Sequence, residues 1–129
     1  MIKHTQKEKK AYFKALRERW SEAKLASTSD TDAQAKYEAI VTQAPDFKIS
    51  YTSFYFTLLE MKQQKLEGNP YIDAKTFQGW IKAGFQVIKG QKSTLKGVTW
   101  LKASTKDDDD GFLFPKEYAL FHTSQVQAI

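Results

Sequence analysis

The chain has 129 residues, a length that fits one domain with a hydrophobic core of its own. It has no cysteine, so disulfides, thiolate zinc sites and a cysteine nucleophile are excluded; 41% hydrophobic and 14% aromatic residues exclude a compositionally disordered chain. The formal net charge of +5 favours a polyanionic partner.

Two amphipathic helices are predicted in the N-terminal part, residues 1–46. The first covers residues 4–25, and its apolar residues recur at helical spacing: Tyr12, Phe13, Leu16 and Trp20. The second begins after the turn- and cap-forming segment Ser27–Asp32 and ends near Ala44, because Pro45 disfavours a helical residue before it.

Two further helices are predicted around the break Gly68-Asn69-Pro70. The helix Ser50–Lys65 has a broad apolar surface, which indicates burial on more than one side. The shorter helix Ala74–Ala83 contains Trp80, which we expect in the core, and Gly84 follows it as a C-terminal cap.

The C-terminal half changes to a strand-like pattern. Strands are predicted over Phe85–Ile88, Thr94–Ala103 and Phe112–Phe121, where Pro115 implies a sheet edge or a bulge. The acidic segment Asp107–Gly111 is predicted as a solvated turn. Helices followed by strands predict an α+β domain, with N-terminal helices packed on a small antiparallel β-sheet formed by the C-terminal half.

Motifs of catalysis and metal binding are missing from the sequence. His4 and His122 are far apart, and no further ligands stand at metal-binding spacing. The run Asp107–Asp110 lacks the glycine and the spaced glutamate of a calcium loop. No G-x-S-x-G, P-loop or G-x-G-x-x-G occurs. We therefore expect no enzyme activity, metal, cofactor or small-molecule substrate.

The N-terminal sequence MIKHTQKEKK is polar and charged, unlike a secretory signal, and no apolar run approaches the length of a membrane span. The absence of cysteine fits a reducing compartment. We expect a cytoplasmic protein without a membrane partner.

Basic charge is concentrated in two segments. Residues 1–24 have eight Lys or Arg against three acids, and residues 69–106 have seven Lys against Asp73 alone. Within the second segment, Thr76–Lys102 has no acid and is interleaved with aromatic residues. Proteins that bind single strands need a positive track for phosphates and flat side chains on which bases stack. This segment is therefore the candidate nucleic-acid-binding region.

The order of motifs from residue 47 to residue 127 resembles the N-terminal domain of the ArdC antirestriction proteins, a domain regarded as single-stranded-DNA-binding. An aromatic helix is followed by a Trp-bearing helix, a Lys-Gly-x-Lys turn, and a strand that ends near an aromatic-x-x-Ser-Gln motif. The matching residues are Trp80, Gly84, Val87, Lys89, Gly90, Lys92, Phe121, Ser124 and Gln125. Gln91 departs from the pattern, because the family usually has Glu there.

The resemblance implies a stand-alone single-stranded-DNA-binding module, with residues 1–46 as a helical N-terminal part of the single domain 1–129. Full-length members carry a metallopeptidase-like domain with a zinc motif, which this sequence lacks, so no peptidase activity is implied. Such a module would serve replication or DNA processing on a plasmid, phage or other mobile element, with a DNA polymerase or helicase as a possible partner.

The candidate contacts follow from the charge pattern and the resemblance. Lysines would neutralise phosphates, Phe85 and Trp100 would stack on bases, Gly90 would allow close backbone approach, and Gln125 would hydrogen-bond the strand. The phosphate-binding candidates are Lys82, Lys89, Lys92, Lys96 and Lys102. A possible extension on the first helix comprises Lys7, Lys10, Lys14 and Arg17.

Two other functions stay open. The aromatic strand Phe112–Phe121 would suit a protein-interaction subunit of a polymerase or helicase complex, since aromatic residues are enriched at interfaces. An antirestriction-type inhibitor of a host nuclease is the second, although the basic charge argues against DNA mimicry.

Overall fold

Helices occupy the N-terminal half of the chain and strands most of the rest, in a computed structural model that describes residues 6–105 and 108–129. The helices are α1 (Gln6–Ser27), α2 (Thr31–Gln43), α3 (Tyr51–Gln63) and α4 (Phe77–Lys82). The strands are β1 (Ala74–Lys75), β2 (Phe85–Val87), β3 (Leu95–Thr105), β4 (Asp108–His122) and β5 (Val126–Ala128), with a 3₁₀ turn at Thr123–Gln125. The predicted α+β arrangement is confirmed.

Side-chain caps fix where three of the helices begin. The Asp30 carboxylate accepts a hydrogen bond from the Ala33 backbone N–H at 3.0 Å and starts α2. Ser50 caps α3 in the same way, and Thr76 caps α4. These caps satisfy backbone donors that the first turn of a helix leaves unpaired, so polar residues in the connecting segments set the helix boundaries.

The main core lies where α1 and α3 pack on β3. Leu16 of α1, Phe54 of α3 and Val98 of β3 are at most 2% exposed and belong to one cluster. The inward side of α1 follows the helical repeat through Leu16, Trp20 and Ala23. The sequence predicts Leu16 and Trp20 on that side, whereas Tyr12 of the predicted set is 48% exposed. A smaller cluster forms where α3 meets the β3–β4 pair and comprises Met61, Ala74, Leu95 and Leu120.

The strands form two small antiparallel sheets. One has the order β1-β4-β3, and β2 pairs with β5 in the other. The prediction that Ala74 and Lys75 are helical is wrong. They form β1 opposite His122 and Phe121, and the helix starts later because Thr76 has an extended backbone and supplies the N-terminal cap.

The acidic segment is a second correction. Asp108–Asp110 and Gly111 belong to β4, not to a solvated turn. Pairing of β3 with β4 continues from the aromatic part of the ribbon to Thr105 opposite Asp108, with an irregularity between Ala103 and Thr105. Local charge patterning gave the wrong structure there, because hydrogen bonding between paired strands propagates past residues of low strand propensity.

Across residues 6–105 and 108–129, no helix has both the length and the apolar character needed to cross a bilayer.

Candidate nucleic-acid interface

The centre of the candidate site is a tight turn after β2. The Gln91 N–H donates to the Ile88 carbonyl at 3.1 Å, and Gly90 between them has φ of +91°. A positive φ at the third position is what a type II turn requires, and glycine adopts it without steric cost. Because β2 pairs with β5 and β3 with β4, the turn links two sheets and is not the tip of a β-hairpin.

Gln125 fastens this turn to the C-terminal segment. Its side-chain Nε2 donates to the Lys92 carbonyl at 2.7 Å and to the Gln91 Oε1 at 3.3 Å. In return, the Ile88 N–H donates to the Gln125 backbone carbonyl at 2.9 Å. Gln125 is 8% exposed, so these bonds are shielded from water. The turn is therefore held from both ends by one residue distant in sequence.

The 3₁₀ turn that positions Gln125 is itself capped by His122. The His122 N–H donates to the Gln125 Oε1 at 3.0 Å, and the His122 Nδ1 accepts from the Ser124 N–H at 3.2 Å. Since Nδ1 accepts, Nε2 bears the proton and donates to the Glu67 carbonyl at 2.8 Å. His122 is 6% exposed, and both of its ring nitrogens are used in hydrogen bonds within the chain.

Further bonds hold the chain between the turn and β3. The Ser93 hydroxyl donates to the Leu120 carbonyl at 2.8 Å, and the Gln64 Nε2 donates to the Thr94 carbonyl at 2.6 Å. Residues 88–94 are thus joined to α3, β4 and the 3₁₀ turn. A loop anchored this way has a backbone that is already ordered, which lowers the ordering cost of binding.

Three of the predicted phosphate contacts are exposed around this turn. Lys89 and Lys92 flank Gly90 and Gln91, and all four residues are exposed. Lys82 is exposed in the last turn of α4, which packs on β2. Residues 74–105 contain no acid, so no carboxylate within this segment neutralises the lysines.

Aromatic rings lie on α4 and β2, the two elements that precede the turn along the chain. The Trp80 ring is 4% exposed, and its Nε1–H donates to the Phe121 carbonyl at 2.8 Å, which confirms that Trp80 is a core residue. The Phe85 ring packs edge-to-face on Trp80 at 5.5 Å and is half-buried. Phe77 is 49% exposed and contacts Phe121 edge-to-face. Phe77 is therefore the most open aromatic ring on α4 and β2.

Two candidate residues on β3, Lys96 and Trp100, lie on the side of the strand that faces the helices and not on the exposed surface around the turn. Trp100 packs edge-to-face on Trp20 of α1 at 5.6 Å and is half-buried. Lys96 lies on the same side of the strand as Trp100, because side chains alternate along a strand. The Lys96 backbone N–H donates to the Glu60 carboxylate of α3 at 3.2 Å. The structure therefore does not place Lys96 and Trp100 on one open surface with the turn. Lys102 lies in β3 opposite Leu113, and its side chain is outside the described part.

The possible extension on α1 forms an exposed stripe. Lys7, Lys10, Lys14 and Arg17 recur at intervals of three and four residues and are all exposed. On the same helix, the Phe13 ring contacts Phe114, which is paired with Leu101 near the far end of β3. The turn precedes Leu95 at the near end. The stripe and the turn are consequently separated along the β3–β4 ribbon.

Sequence reasoning missed the structural task of Gln125 and the exposure of Phe77. The Ser-Gln match pointed to Gln125, but its partners Gln91 and Lys92 are more than 30 residues away. α4 has six residues, which is too short for periodicity to separate inner from outer residues.

In the described part of the chain, no three His, Asp or Glu side chains converge so that they could hold a metal ion.

Comparisons with family models, with curated proteins and with solved structures find no match to this chain. The resemblance to the ArdC N-terminal domain therefore stays a prediction from the order of motifs.

Proposed function

We propose that this chain binds single-stranded DNA, with the turn Lys89-Gly90-Gln91-Lys92 at the centre of the binding surface. The observation that carries the proposal is the turn itself, whose two exposed lysines stand on a backbone that Gln125 anchors. Phosphate contacts dominate the affinity of such proteins, and a turn whose backbone is already ordered loses less conformational entropy on binding DNA.

Phe77 and Lys82 of α4 are the further contacts in this proposal, since α4 packs on β2, the strand that leads into the turn. Phe77 is 49% exposed, so one face of its ring is open to a base, and base–aromatic stacking contributes about 1–3 kcal/mol. Phe85 is half-buried and presents less of its ring. A duplex keeps its bases stacked inside, so an aromatic contact of this kind favours single strands.

The biological setting follows from the resemblance alone. A stand-alone binding module of the ArdC type would hold a single-stranded template for replication or DNA processing on a mobile element. A polymerase or helicase of the same element is the partner that this role implies.

The test is fluorescence anisotropy with a labelled single strand of about 15 nucleotides, in the size range of compact single-strand binders. Lys89→Glu and Lys92→Glu are each expected to weaken binding about tenfold, and the double variant more, because each reversal removes a phosphate contact and adds repulsion. Lys36→Glu is the matched control, since Lys36 is exposed on α2 and the charge change is the same. Equal losses in all three single variants would contradict a contact at the turn.

A protein-interaction role is the second candidate, and exposed apolar residues favour it. Phe77 and Ile81 are 49% and 40% exposed one turn apart on α4, and Leu113 on β4 is 60% exposed. Phe77→Ala distinguishes the two functions. If Phe77 stacks on bases, the variant loses single-strand affinity; if it docks a protein, the variant keeps that affinity and loses the polymerase or helicase captured by wild-type protein.

A further inference from the structure

Gln91 is exposed at the turn, and the oxygen end of its side-chain amide is held by the chain. The Gln91 Oε1 accepts a hydrogen bond from the Gln125 Nε2 at 3.3 Å. The Gln91 Nε2 itself has no hydrogen-bond partner within residues 6–105 and 108–129. Because a primary amide nitrogen has two N–H donors, Gln91 keeps two donors that the described fold does not use.

The side-chain amide of Gln125, in contrast, is fully used within the chain. Its Nε2 donates to the Lys92 carbonyl at 2.7 Å as well as to Gln91, and its Oε1 accepts from the His122 N–H at 3.0 Å. Gln125 is also 8% exposed, so a ligand would have to break these bonds to reach its amide. The side-chain amide donors that remain for a ligand at the turn are therefore those of Gln91.

Two exposed lysines flank Gln91. Lys89 lies two residues before it and Lys92 one residue after it, and residues 74–105 contain no acid. Phosphate contacts position a strand without reading its bases. Glutamine amides also pair with base edges, where a carbonyl oxygen or a ring nitrogen accepts from the N–H. Because the two lysines can serve the phosphates, the amide between them is free for a base.

We propose that Gln91 is the base-contacting residue of the turn, and that its Nε2 donates to an acceptor on the edge of an unpaired base while Lys89 and Lys92 contact phosphates. This contact rests on the proposed single-stranded-DNA binding. The bond to Gln125 restricts the rotamers of Gln91 in the free protein, so less side-chain entropy is lost on binding. The Watson–Crick edges of a duplex are already paired, so such a donor favours single strands.

The experiment uses anisotropy titrations of wild type, Gln91→Met and Gln91→Glu with a labelled strand of about 15 nucleotides and with an abasic strand of equal length. Gln91→Met keeps the length of the side chain and removes the amide donors. Gln91→Glu also removes the donors, but it leaves an oxygen that can accept from Gln125. Gln43→Met is the matched control, since Gln43 is exposed at the end of α2, and thermal melts show whether each variant is folded.

We expect Gln91→Met to weaken binding of the intact strand about three- to tenfold, as for the loss of one neutral hydrogen bond, and to leave the abasic strand unchanged. Gln91→Glu should weaken both strands, because its charge repels phosphates. It should lower the ratio of intact to abasic affinity by the same factor as Gln91→Met. Gln43→Met should bind both strands like wild type.

The base contact and the proposed function fail in different ways. If Lys89→Glu weakens the intact strand while Gln91→Met binds it like wild type, Gln91 makes no base contact and the proposed function stands. An equal loss of Gln91→Met on both strands would also overturn the base contact, because the lost interaction would then lie with the phosphates or in the order of the turn. If wild type binds neither strand, the proposed function fails and the base contact fails with it.

Discussion

The Gln125 side chain donates a hydrogen bond from Nε2 to the Lys92 carbonyl at 2.7 Å, across 33 positions of sequence. The Ile88 N–H donates to the carbonyl of the same residue, so Gln125 touches the chain on both sides of Lys89-Gly90-Gln91. The Ser-Gln motif near the C-terminus and the Lys-Gly-x-Lys turn are thus parts of one structural unit.

Gln125→Ala is expected to destabilise the fold by about 1–3 kcal/mol, because it leaves the buried His122 N–H and the partly buried Lys92 carbonyl without their partners. Urea unfolding measures the loss. Gln127→Ala is the matched control, since Gln127 is exposed on β5 and its backbone pairing with Gln86 does not need the side chain. Equal stability of Gln125→Ala and wild type would show that the turn does not depend on this amide.

Gly97→Ala is expected to be destabilising by about 1–3 kcal/mol, the usual range for overpacking. The ring of Tyr118 lies across Gly97, and an added Cβ would stand 2.4 Å from the Tyr118 Cζ. The shorter side chain in Tyr118→Leu removes the clash, so the double variant should lose less than the sum of the two single losses. Additive losses in thermal or urea unfolding would contradict the close contact.

Glu60→Gln is expected to gain stability relative to wild type as pH rises from about 4 to about 7. Burial raises the pKa of Glu60 above its ordinary value of 4.5, against the opposing effects of the Lys96 N–H and the Arg19 guanidinium. The folded state therefore binds the proton more tightly than the unfolded state, and wild type loses stability as pH rises through that window. Urea unfolding at several pH values measures the difference between the two proteins, and a difference that shrinks with rising pH would contradict the sign.

The Tyr12 hydroxyl is expected to ionise at a higher pH than an ordinary tyrosine. Its hydroxyl donates to the Glu117 carboxylate, and this hydrogen bond raises the pKa of Tyr12 to about 12. Glu117→Gln should lower the pKa of Tyr12 toward 10, the ordinary value for tyrosine. NMR titration of ¹³Cζ-labelled tyrosine resolves the single residue. A wild-type midpoint near 10 would contradict the hydrogen bond.

Local pattern predicted much of the fold. The repeat of apolar residues in α1 gave its inner face, and the polar residues before α2 gave its start. The large apolar surface of α3 is explained by its position between α1 and β3. These features depend on residues close in sequence, so a single sequence is enough to find them.

The candidate site was less predictable because it depends on contacts between distant segments. Alternation shows that Trp100 and its neighbours on β3 take opposite sides, but it does not show which side α1 covers. The structure puts Trp20 of α1 against Trp100, so the ring lines a cavity and is not an open platform. The partners of the Gln125 side chain likewise depend on the tertiary fold, which brings the 3₁₀ turn against residues 88–92.

Single-strand binding at the turn is tested most directly by its salt dependence. Anisotropy titrations with labelled single and duplex DNA at two or more salt concentrations give the slope of log K against log salt. We expect tighter binding of the single strand, a steep negative slope for wild type, and a slope about 1.4 smaller in the Lys89→Glu, Lys92→Glu double variant, at about 0.7 per phosphate contact. Equal affinity for single and duplex DNA, or a slope that the double variant leaves unchanged, would contradict it.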